Sequence, residues 1–69
     1  MYEVGDLVII KRNNKINYTD LLKRASNSVG IVLDSLVFSD YIMYLVHFPE
    51  LETDLHFYGE ELEPLVHTI

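Results

Sequence analysis

The chain has 69 residues, no cysteine and a formal net charge of -6. A chain of this length makes one domain and buries only about 60% of its unfolded surface, so its core is small. The missing cysteines argue against a disulfide-stapled secreted scaffold and exclude a thiolate metal site.

The start, MYEVGD, has no basic n-region and no long apolar run, so no signal peptide is expected. No apolar stretch reaches the roughly 18 residues of a membrane span. These features lead to an expected intracellular or virion location rather than a secreted one. Gly5 supplies backbone freedom for a turn over Glu3 to Asp6, before a short apolar strand over Leu7 to Ile10.

Residues 13 to 28 read as a long connection. Asn13-Asn14 is a loop signal, and Thr19 or Asp20 is placed to cap one helical turn over Leu21 to Ala25. Leu21 and Leu22 are expected to pin that turn to the body of the protein. All five cations of the chain fall here or just before: Lys11, Arg12, Lys15, Lys23 and Arg24. Asp20 is the one acid among them, and the other ten acids stand outside with no Lys or Arg. Such segregation points to a charged contact made by this segment.

The stretch Val29 to Phe48, VGIVLDSLVFSDYIMYLVHF, organises the rest. Both halves are rich in β-branched and aromatic residues without a helical period, and Ser39-Asp40 suits a two-residue turn. That turn places Phe38 opposite Tyr41, Val37 opposite Ile42, Leu33 opposite Val46 and Ile31 opposite Phe48. Val37, Ile42, Leu33, Val46, Ile31 and Phe48 form the expected core side, shared near the tip by Ser35 and Tyr44. The other side carries Leu36, Phe38, Tyr41, Met43 and Leu45. Five large apolar residues on a face that should be wet point either to a partner surface or to a ribbon that curls so that its tip folds under the chain's own loop.

Pro49 stops the second strand because it has no N–H to donate. Thr53 to Tyr58 alternate again, with Leu55 and Phe57 inward and His56 and Tyr58 outward. The expected pairing sets His47 opposite His56. Gly59 ends this strand, Glu60-Glu61 suit a 3₁₀ turn, and Leu62 to Val66 read as a last edge strand broken by Pro64.

The predicted fold class is therefore all-β: five strands, a long first loop and one short helical turn, in a single domain over residues 1–69. In GDLV at 5–8, VGIV at 29–32, YLVHF at 44–48 and YGEELEPL at 58–65, the chain resembles an SH3-like small barrel, with a KOW-type look in its glycine-led strands. The resemblance covers nearly the whole chain and implies a five-stranded barrel. The sequence has no Trp and no ALYDY-like run, so proline-peptide binding does not carry over. Small acidic barrels of this kind are also similar to uncharacterised proteins of tailed phages, which raises a virion role.

His47 and His56 are the best candidate metal pair, but a stable site needs three or four ligands and only Asp34 or Tyr58 comes near. Surface histidines are the simpler reading, and no cofactor is expected. Glu60, Glu61 and Glu63 lack the cleft that would raise a carboxyl pKa, and no nucleophile or phosphate loop accompanies them. The chain is thus expected not to be an enzyme. Nucleic acid is the rival ligand, through the basic Lys11–Arg24 loop and the stacking potential of Tyr18, but the uncompensated acids repel phosphate. The preferred expectation is a protein-interaction module, a subunit of a larger assembly that meets a protein partner or a second copy head to tail.

Overall fold

The computed structural model describes residues 1–11 and 20–65. It is all-β apart from two short helical pieces. The strands are β1 (Leu7–Ile10), β2 (Gly30–Val37), β3 (Ile42–Phe48), β4 (Thr53–Tyr58) and β5 (Leu62–Pro64). A helical turn α1 (Asp20–Ala25) precedes β2, and a 3₁₀ turn (Gly59–Glu61) joins β4 to β5. The helical turn lies where the capping residues place it, although the side chains of Leu21 and Leu22 are outside the described set.

All five strands form one antiparallel sheet in the order β4-β3-β2-β1-β5. The resemblance implied a five-stranded barrel; among the described residues β5 pairs with β1 and no pairing links β5 to β4, so the sheet is not closed there. The last strand is only three residues long, and Pro64 cannot donate to a ladder. The N-terminal segment spans part of the opening instead. The Tyr2 N–H donates to the Tyr44 hydroxyl on β3 at 3.1 Å, and the Tyr2 hydroxyl donates to the Leu62 carbonyl at the start of β5 at 3.0 Å. The two rings meet edge to face at 5.2 Å.

The turn at Ser39-Asp40 forms as expected, with the Phe38 N–H donating to the Tyr41 carbonyl at 2.8 Å. Val37 faces Ile42, Leu36 faces Met43 and Ser35 faces Tyr44, again as the turn dictates. Between Val32 and Asp34 the register shifts by one. Val32 then stands opposite Val46, and Ile31 opposite His47. This corrects the expected core. Val32 is fully buried, whereas Ile31 is half-buried, Leu33 is 41% exposed and Val37 is 72% exposed.

The cause is a conflict between two registers. The turn fixes one at the tip. At the other end, β1 fixes a second: the Gly5 N–H donates to the Val32 carbonyl and the Val32 N–H donates to the Asp6 carbonyl. Gly30 is held so tightly there that a Cβ would lie 2.3 Å from Val46 Cγ1. The extra residue at Leu33 is the bulge that reconciles the two.

The core comprises Val8, Ile10, Ala25, Val32, Tyr44, Val46, Phe48, Phe57 and Leu62, with Tyr2, Ile42, Leu51 and Leu55 packed against it. Each fully buried apolar side chain contributes about 1.5–3 kcal/mol. Phe48 and Phe57 pack edge to face, 6.0 Å apart. The β2–β3 hairpin runs on past this core, so its tip is a projecting ribbon.

Candidate functional surface

The outer face of the ribbon gathers the five residues expected to meet a partner. Leu36 and Met43 are directly paired, and Leu45 lies one row further from the tip. Leu36 is 47% exposed, Phe38 and Tyr41 are each 44% exposed, and Met43 and Leu45 are half-buried beneath them. Phe38 stacks on Tyr41 at 4.6 Å across the turn.

A sixth residue, Tyr58, completes the group. It faces Met43 from β4 and meets the Tyr41 ring edge-on at 5.4 Å. Alternation already turned Tyr58 outward, but the expected β3–β4 register was two residues out. The Phe38–Tyr41–Tyr58 row fixes three amphipathic rings in place, each with an apolar body and, for the tyrosines, a polar tip. Ordered aromatics of this kind lose little side-chain freedom when a partner covers them.

The same slip separates the two histidines. Pro49 to Glu52 form a four-residue turn in which the Leu51 N–H donates to the Phe48 carbonyl and Glu52 takes φ 52°. Phe48 therefore faces Thr53, His47 faces Asp54, and His56 faces Leu45. His47 Nδ1 lies 2.5 Å from Asp54 Oδ1, an exposed contact between neighbouring strands. His47 and His56 are not paired, and no group of three potential metal ligands occurs among the described residues.

The charge of the hairpin region is mostly acidic along the sequence, although Glu50, Glu52 and Asp54 lie at the end away from the aromatic row and the Lys11 N–H donates to the Glu61 carbonyl at 2.8 Å. Residues 30–61 include Asp34, Asp40, Glu50, Glu52, Asp54, Glu60 and Glu61, and no Lys or Arg. Of the basic segment, Lys11, Lys23 and Arg24 are described and exposed; Arg12, Lys15 and the stacking candidate Tyr18 lie outside the described residues. The Lys23–Arg24 end of α1 is anchored. Ser26 Oγ donates to the Lys23 carbonyl at 2.7 Å, and the buried Ser28 hydroxyl lies 3.2 Å from both the Arg24 carbonyl and the Glu50 carboxylate. Glu50 belongs to the β3–β4 turn, at the opposite end of β3 from the aromatic tip. The two features are thus a strand length apart, roughly 20 Å.

The Tyr2 phenol has a shifted pKa. Partial burial raises it above the ordinary value, assisted by Tyr44, Glu63 and Asp6. It belongs to the strap over the opening and not to the aromatic row. Among the described residues no helix is long and apolar enough to cross a membrane. Comparison with family models, curated proteins and solved structures gives no match, so function is argued from this geometry.

Proposed function

We propose that the chain is a non-enzymatic protein-interaction module that docks through the outer face of its hairpin tip, as a small subunit of a larger assembly. The observation that carries this reading is the exposed row Phe38, Tyr41 and Tyr58 over Leu36 and Met43. The core lies elsewhere, so these side chains are not required to hold the sheet together. Interface cores are enriched in Tyr, Phe and Met.

The placement of the Lys23–Arg24 end a strand length from the aromatic tip supports an assembly role. A chain with unlike ends can engage two neighbours at once, and head-to-tail contacts of this type close into rings or extend as filaments. The strand order, with the last strand returning beside the first, supports the small-barrel resemblance.

An alanine contrast tests the reading. Tyr41→Ala should weaken association about tenfold or more, as for a central interface aromatic, while Glu52→Ala in the distant turn should change it little. Association is read by sedimentation of the pure chain and by capture from a lysate of its source. Equal behaviour of the two variants would reject the tip as the interface.

A further inference from the structure

Among the described residues the hairpin tip has an unpaired edge as well as an apolar face. β1 covers β2 only as far as Val32, through the Gly5 and Asp6 hydrogen bonds. From Leu33 to Val37 every residue of β2 is exposed. Hydrogen-bonded and non-bonded pairs alternate in an antiparallel ladder. Counting from the bonded Phe38–Tyr41 pair, Leu36 and Asp34 point their backbone groups at β3. Ser35 and Val37 point theirs away, to the free edge.

One outward donor is already occupied: the Ser35 N–H donates to Asp34 Oδ1 at 2.8 Å. At the β4 edge of the sheet one N–H is occupied in the same way, with the Tyr58 N–H donating to Glu61 Oε1 at 2.8 Å. The two edges differ in what flanks them. β4 offers Asp54 and His56 on its outer face. β2 offers Leu36 and Phe38 on the outer face and Val37 on the inner one, with an unoccupied Val37 N–H among the described residues. An exposed apolar edge of this kind is a template for an added strand.

We infer that the β2 edge from Leu33 to Val37 binds an extended segment of a different protein, one that alternates apolar residues with Lys or Arg. This deepens the proposed function by naming the partner's chemistry, and it rests on that reading. The sign of the charge follows from Asp34, on the edge strand itself, and Asp40, in the turn at its end. A strand of a second copy is a poor occupant of this edge. None of the five strands contains Lys or Arg, so pairing β2 with any strand of a copy sets an acidic or uncharged strand against Asp34 and Asp40.

The test titrates the full chain with an alternating Lys-Val decapeptide and with its Glu-Val counterpart, followed by amide NMR. The Lys-Val peptide should bind, shift the amides of residues 33–37 and slow hydrogen exchange at Val37. The Glu-Val peptide should not bind. Val37→Pro removes the outward N–H along with the valine side chain and should weaken binding about tenfold or more, at least the loss of one backbone hydrogen bond. Should that variant fail to fold, Asp34→Lys carries the same test, with binding lost and the circular dichroism unchanged.

No saturable binding, binding unaffected by either variant, or shifts confined to β4 would overturn the inference. Self-association abolished by Val37→Pro would also overturn it, by giving the edge to a second copy. If Tyr41→Ala still impairs association while the peptide fails to bind, strand addition falls and the interface itself stands.

Discussion

Val32, and not Leu33, stands opposite Val46, and the pair is sealed in the core while Leu33 lies on the surface. The bulge between Val32 and Asp34 is therefore a boundary. On one side of it β2 is a core strand clamped by β1. On the other it is half of a free ribbon that carries the aromatic row. Truncation across the boundary should separate the two regimes. Val32→Ala should destabilise by about 2 kcal/mol through lost burial and a residual cavity. Leu33→Ala should stay within about 1 kcal/mol of the parent, as surface changes do. Denaturant midpoints measure both, and the reverse order would restore the uninterrupted turn register.

Gly30 is the second element of that clamp. A methyl group there would lie 2.3 Å from Val46 Cγ1 and 3.0 Å from Phe48 Cε1, and both neighbours are fully buried. Neither can retreat without displacing the core. Gly30→Ala should therefore destabilise by about 1–3 kcal/mol, the range for an overpacked interior. A thermal melt coincident with that of the parent would show that the sheet can open at this point.

Strand positions, the turn at Ser39-Asp40, the helical turn before β2 and the 3₁₀ turn after Tyr58 were all readable from alternation, turn residues and caps. The aromatic face was readable as well, since the turn fixes which side of the ribbon Leu36, Phe38, Tyr41 and Met43 occupy. Two shifts were not readable. The bulge at Leu33 arises from β1 gripping Val32, a contact between residues far apart in sequence that no local pattern records. The His47–Asp54 pairing depends on the length of the turn after Phe48. That turn is closed by Glu52 in a left-handed conformation that Glu seldom adopts. Tyr58 was assigned the correct face and the wrong row for the same reason. Sheet closure was also not legible, because a last edge strand broken by Pro64 reads the same whether or not a neighbour completes it.

The Tyr2 strap gives a pH-dependent signature. Its phenol is raised by burial first and then by Tyr44, Glu63 and Asp6. The folded state thus favours the neutral form. That contribution is complete below the unfolded value of about 10 and is lost as pH rises through the higher folded value. Tyr2→Phe removes this term together with the hydrogen bond to the Leu62 carbonyl, a loss of about 0.5–1.5 kcal/mol near neutrality. Urea unfolding of parent and variant at about pH 8 and about pH 11 should show the difference between them shrinking at the higher pH. A difference that grows with pH would mean that the strap binds the ionised phenol, contrary to its surroundings.

The claim that the ribbon tip is an interface is tested most directly by changing Met43 and Leu45 together to Thr, which suits a strand and removes the apolar floor of the aromatic row. Circular dichroism and thermal melting report the fold, and sedimentation with partner capture reports association. The account predicts a folded double variant whose association is lost or weakened about tenfold or more. A variant that folds and associates like the parent would contradict it, making the tip ordinary surface, and a variant that unfolds would assign Met43 and Leu45 to the core.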